Sequence, residues 1–199
     1  MAYPDFTLRL LKERFGITVS DAADLYSSLP PLPASDFFRA LLRRHLPIVR
    51  GLGNEKTRSE MIIAPLLVEV REQSGRQIAV FSGAELSVDP AQGLSGFCDF
   101  LVSRSPTMLT VTAPVLTVVE AKHEDITAGI PQCIAEMYAA MIFNARDGEP
   151  VETLYGAVTS GTVWRFLRLR ELHAEVDAQE YPIEDVDKIL GILRSMTLD

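Results

Sequence analysis

Two short apolar runs in the middle of the chain each carry an acid that a buried strand does not ordinarily tolerate. The first is Gly96-Phe97-Cys98-Asp99-Phe100-Leu101-Val102 and the second is Leu116-Thr117-Val118-Val119-Glu120-Ala121-Lys122. Side chains alternate across a strand, so Glu120 and Lys122 project together while Ala121 points the other way. Two carboxylates and an ammonium near the ends of adjacent strands suit a divalent metal and a base. Hard cations such as magnesium take oxygen ligands, usually one or two protein carboxylates with water and substrate phosphate completing the shell. Such a metal polarises a phosphoryl oxygen and lowers the pKa of a water, while the lysine orients or deprotonates the nucleophile. The structural alternative makes Glu120 and Lys122 an ion pair at a strand end, with Asp99 capping a turn.

The elements around these runs must hold the acids together. Strands are expected near 77–88, 97–103 and 115–122, where short apolar or alternating segments lie between Gly, Pro and Ser. Ahead of them Asn54 caps a helix through about Gln73, with Ile62, Ile63, Leu66, Leu67 and Val70 as its stripe and a kink at Pro65. Thr57-Arg58-Ser59-Glu60 within it also fits a capping box. Pro131 to Asn144 is helical in spacing, and strands near 154–159 and 162–169 follow, joined by Ser160-Gly161. Helix, three strands, helix and two strands describe an α/β sandwich with a mixed sheet, in which the second helix makes a crossover. Residues 1–50 read as a helical N-terminal extension: a helix with Phe6, Leu10, Leu11 and Phe15 at helical spacing, a short one capped by Ser20-Asp21, and one from Ser35-Asp36 that Pro47 ends. Residues 51–170 form the core, and 171–199 an acidic C-terminal tail ending in a helix around Ile183–Met196, all within one compact unit.

These residues resemble the PD-(D/E)XK nuclease superfamily, whose restriction-endonuclease-like core has the order α-β-β-β-α-β. Asp99 matches the first acid of its motif and Glu120-Ala121-Lys122 its E-x-K, with Cys98 at the variable position of the name-giving proline. The helix from Asn54 through Leu67 resembles the one preceding the core in type I restriction-subunit-like members, and the resemblance covers about residues 54–170. It implies Mg²⁺- or Mn²⁺-dependent hydrolysis of phosphodiester bonds in nucleic acid, with DNA as the expected substrate. Asp99 and Glu120 would hold the metal, helped by a glutamate of the preceding helix: Glu60, on the face of Ile63 and Leu67, or Glu55, on the face of Ile62. Gln132, with Glu136 one turn further on the same face, matches a glutamine that several such families keep near metal and substrate; a solvent-exposed helix start is its bland reading. Cleavage of both strands by so small a nuclease would further imply a homodimer. The competing function is a catalytically silent module of the same fold that binds nucleic acid or a protein. A weaker third is an assembly subunit whose apolar helix 131–145 docks on a partner chain.

Composition narrows the remaining classes. The chain has 199 residues, 47% of them hydrophobic and 23% charged, as expected for one globular domain. Cys98 and Cys133 are too few for a disulfide framework and read as reduced core residues. No stretch of 18 apolar residues and no basic-then-apolar leader occurs, so a soluble, cytoplasmic protein away from membranes is expected. The absence of G-x-S-x-G, of a Walker-type loop and of a dinucleotide fingerprint disfavours acyl transfer and nucleoside-triphosphate chemistry. His123 is a phosphate contact or a surface residue, His45 and His173 read as surface, and Trp164 as core with base stacking the alternative. A net charge of −8 argues against a nucleic-acid partner until it is divided along the chain. Residues 39–58 carry +5 and residues 171–199 carry −6. Arg39, Arg43, Arg44, Arg50 and Arg58, together with Arg165, are therefore the candidate phosphate contacts, and the tail a solubilising or shielding element.

Overall fold

A computed structural model of the chain describes residues 2–52, 54–105, 107–122 and 125–198. His123 lies outside the described residues. Thr7 caps α1 (Leu8–Phe15) by accepting the Leu10 N–H at 3.2 Å, and Gly16 ends it in the left-handed conformation. The segment after it corrects the sequence-based expectation: Ser20-Asp21 caps no helix, and Thr18–Ala23 forms β1. An open sheet edge outweighs the local capping signal there, because β1 pairs in parallel with a later strand.

Helix α2 (Asp36–Leu52) starts at Ser35, whose Oγ accepts the Phe38 N–H at 3.1 Å. It runs through Pro47 instead of ending there. Pro47 and Arg43 are both exposed, so the carbonyl that Pro47 leaves without a donor faces solvent. The next helical stretch has three parts: α3 (Glu55–Arg58), a π-helical segment Ser59–Ile63, and α4 (Ala64–Gln73). Asn54, not Thr57, is its cap, accepting the Thr57 N–H at 2.7 Å, and Glu60 serves no capping role. Pro65 cannot donate to the Met61 carbonyl one turn back, and His45 of α2 hydrogen-bonds that oxygen at 2.7 Å. His45 is thus a half-buried tie between two helices, not a surface residue.

Strands β2 (Ala79–Glu85), β3 (Phe97–Ser103) and β4 (Val115–Ala121) form an antiparallel meander. Helix α5 (Ile130–Arg146) then crosses over to β5 (Thr153–Thr159), which lies parallel to β4. β6 (Val163–Arg170), β7 (His173–Asp177), β8 (Tyr181–Pro182) and α6 (Val186–Ser195) complete the chain. The sheet order is β1-β7-β6-β5-β4-β3-β2, with β8 also on β6. The helix expected around Ile183–Met196 is present as α6, but residues 171–182 ahead of it are part of the sheet and not a tail. The alternation His173-Ala174-Glu175-Val176-Asp177 places β7 between β1 and β6, with Ala174 and Val176 buried.

This is an α/β architecture with a mixed sheet and helices on both faces. One core packs α2, α4 and α6 against Phe100, Val119, Trp164 and Phe166; the other packs α1 and α5 against Leu101, Val118, Val158 and Leu167. Ile134, Met137 and their buried neighbours spend the apolar face of α5 on that second core, leaving little of it for a partner chain. Asn144 near the end of α5 makes both backbone hydrogen bonds of Val115 at 2.8 Å, which fixes β4 along the helix. Trp164 is buried and donates its Nε1–H to the Gly161 carbonyl, as the core reading requires. Among the described residues no helix is long and apolar enough to cross a membrane.

Candidate active site

The ladder between β3 and β4 reaches Phe100 opposite Val119 and stops. Beyond that point Asp99 Oδ2 accepts the Ala121 N–H at 2.8 Å, so a side chain takes a donor that the neighbouring backbone no longer meets. On its other side β4 stays paired through Ala121 opposite Thr159, and Lys122 N–H continues to the Thr159 carbonyl at 2.8 Å. The two strands split at the acids. A Cβ on Gly129 would come within 2.7 Å of Val158 and 3.0 Å of the Lys122 stem, so glycine lets the turn before α5 close over that lysine.

Inside the split the side chains form a line. Lys122 Nζ donates to Glu120 Oε1 at 2.6 Å and to Gln132 Oε1 at 3.0 Å, and Gln132 Nε2 donates to Glu136 Oε1 at 3.0 Å. Glu120 is 2% exposed and Glu136 is fully buried, yet Oε2 of each has no hydrogen-bond partner among the described residues. Burial, then the Asp99 carboxylate, push Glu120 up to about 7 against the pull of Lys122, and Glu55 pushes the same way. Burial and then Glu120 hold the Glu136 carboxyl well above the ordinary range. For Lys122 burial favours the neutral amine, but the Glu120 hydrogen bond and the charges of Glu120, Asp99 and Glu55 outweigh it and raise its pKa.

A cleft of about 280 Å³ opens beside these groups, lined by Glu55, Lys56, Ser59, Glu60, Ser82, Asp99 and Ala121. Both helix glutamates therefore border it, by different means. Glu60 is mostly exposed and pairs with Lys56 at 3.7 Å, whereas the charge of Glu55 acts on Glu120 and Lys122. Gln132 is buried and bonded at both ends of its amide, so it is not an exposed helix start. Glu136 belongs to the same cluster, and its signal in the sequence was an acid at an otherwise apolar helix position.

The arginines divide differently. Arg39 grips Asp187 at 2.6–2.7 Å and Arg50 pairs with Glu184 at 2.6 Å. Arg58 donates to the Ser160 carbonyl and Thr162 hydroxyl, and Arg165 Nε to the Asp177 carbonyl at 2.9 Å. Arg43 and Arg44 are exposed on α2, without a side-chain partner among the described residues. The acidic segment neutralises part of the basic one internally. Cys98 and Cys133 are free and buried, and burial pushes both thiols up, which keeps them unreactive.

In donor type Asp99 and Glu120 fit a hard divalent cation: both present carboxylate oxygens, and Glu120 Oε2 is buried without a partner among the described residues. Among the described residues no group of three or more His, Cys, Asp or Glu side chains is arranged to hold a metal ion alone. Magnesium does not require one, since one or two carboxylates suffice when water and phosphate oxygens fill the remaining positions. Neither a protein-family model nor a curated protein matches this chain.

Proposed function

We propose that the protein is a divalent-metal-dependent phosphodiesterase acting on nucleic acid, with DNA as its substrate. The observation that carries this reading is the Lys122 amine 2.6 Å from a buried Glu120 whose second oxygen has no partner among the described residues, beside Asp99 where β3 and β4 part. The element order from Glu55 to Thr159, one helical stretch, three strands, a crossover helix and a parallel strand, supports a restriction-endonuclease-like core. Asp99 and Glu120 would hold Mg²⁺ or Mn²⁺, with Glu55 contributing negative charge at the same place and Glu60 at the cleft rim. Such a metal, when bound, polarises a phosphoryl oxygen and lowers the pKa of a water. Lys122, held as a donor between Glu120 and Gln132, orients the attacking water and offsets charge developing on the phosphate.

The test is incubation of single- and double-stranded DNA and RNA with Mg²⁺ or Mn²⁺, with Glu120→Ala as control. Cleavage that needs metal and disappears in the variant is the expected result. Equal cleavage by the variant would assign the activity to a contaminant and sink the reading. The competing function is a binding module of the same fold without catalysis. Retardation of DNA in a gel without cleavage under any metal would select it.

A further inference from the structure

The chemistry above leaves one buried acid unused. Glu136 lies one helical turn after Gln132 in α5, fully buried, with one oxygen bonded to Gln132 Nε2 and the other to nothing among the described residues. A leucine there would fill the same face of the helix without the cost of a half-satisfied buried carboxyl. Gln132 is almost as buried, and both ends of its amide are committed. An ammonium only donates, so Lys122 needs the amide oxygen; the amide itself fits its space equally well when turned by half a rotation. The donor-only ammonium sets which way the amide faces, and the acceptor at the far end holds it there.

We propose that Glu136 is a positioning residue for the Lys122 amine: its carboxyl holds Gln132 with the amide oxygen toward Lys122, and so keeps the amine beside Glu120. The effect on rate rests on the phosphodiesterase reading, while the orientation of Gln132 rests on geometry alone. Burial favours the neutral carboxyl at Glu136, whose carbonyl oxygen still accepts the Gln132 N–H. The acceptor matters, not the charge, and Glu136→Gln keeps it.

The full chain carrying Glu136→Gln or Glu136→Leu tests this, with Glu136→Met as the second apolar replacement where leucine does not fold. Two readouts are taken: kcat and KM for metal-dependent DNA cleavage, and exchange protection of the Gln132 side-chain amide hydrogens by NMR in metal-free protein. Glu136→Leu should lower kcat about 10²-fold with KM little changed, the scale of a misplaced catalytic group. Glu136→Gln should stay within a few fold of the parent protein, and adding Glu136→Leu to Gln132→Leu should lower kcat no further than Gln132→Leu alone. Amide protection should persist in Glu136→Gln and collapse in Glu136→Leu. An undiminished kcat in Glu136→Leu, equal impairment in Glu136→Gln, or an additive double variant overturns the proposal. A parent protein that cleaves nothing overturns the phosphodiesterase reading instead; amide protection then decides for Glu136, and its persistence in Glu136→Leu overturns the role.

Discussion

Two clusters of acids and bases in this molecule are built in different ways. At the α2–α6 junction Arg39 meets Asp187 and Arg50 meets Glu184, with side chains 34–61% exposed and each carboxylate matched by a guanidinium. At the β3–β4 split the Glu120 carboxylate is 2% exposed, Glu136 lies behind it, and Lys122 is the one cation bonded to that line of side chains among the described residues. The first cluster is balanced and wet. The second is dry, acid-rich and, among the described residues, left with two unpartnered oxygens. Exposed pairs cost little to form and contribute little, whereas buried unmatched carboxylates cost stability and mark a place for another ligand. The number of charges says less about function than where water has been excluded.

The largest effect expected from this contrast is on activity. Asp99→Ala or Glu120→Ala should lower metal-dependent cleavage by on the order of 10³-fold, about 4 kcal/mol of transition-state stabilisation. Arg39→Ala should leave kcat unchanged in the same assay, and a comparable loss there would erase the distinction between the clusters. Next comes the pH dependence of metal-free stability. Glu120 is raised from 4.5 to about 7, so between these values the native state keeps a proton that the unfolded state has released. Its contribution is complete below pH 4.5 and is lost as pH rises toward 7, amounting to about 3 kcal/mol. Glu136, also raised, adds in the same direction. Urea unfolding across this range should show the decline, and Glu120→Gln should flatten it.

The junction should respond more weakly. Arg39→Ala is expected to cost about 1 kcal/mol or less in urea unfolding, with added salt shrinking the difference. Smallest are Arg43→Ala and Arg44→Ala, which should leave stability unchanged. If α2 touches the DNA backbone, each should lower the salt slope of DNA binding by about one. Titrations of affinity against salt measure this, and an unchanged slope would remove α2 from the interface.

The sequence was most legible where local pattern and tertiary role agree. Strand Phe97–Ser103 falls where its apolar run predicts it, and Val115–Ala121 and α5 lie within two residues of expectation, because their faces are buried almost without interruption. Asn54 reads as a cap because its side chain bonds three residues ahead. β1 was hidden, since its pairing reaches residues about 155 positions away and no alternation of its own marks it, and β7 alternates over only five residues within a charged segment. The acids of the site were visible as exceptions within apolar strands. Which helix glutamate acts on them was not, because a π-helical segment breaks the regular spacing from which a face is read. The partners of Arg39 and Arg50 were hidden for a related reason: a basic stretch in sequence carries no sign that Asp187 and Glu184 will come to meet it.

One measurement bears most directly on the central claim, that Asp99 and Glu120 bind a divalent metal. Melting curves of the full chain are recorded against increasing Mg²⁺ and Mn²⁺, alongside Asp99→Ala. At a metal concentration about 100-fold above Kd, binding adds about 2.7 kcal/mol and should raise Tm by about 5–10 °C for a chain of this size. The account expects that rise in the parent protein and its loss in Asp99→Ala. A melting temperature that stays flat into high millimolar metal, or an equal rise in the variant, would contradict it.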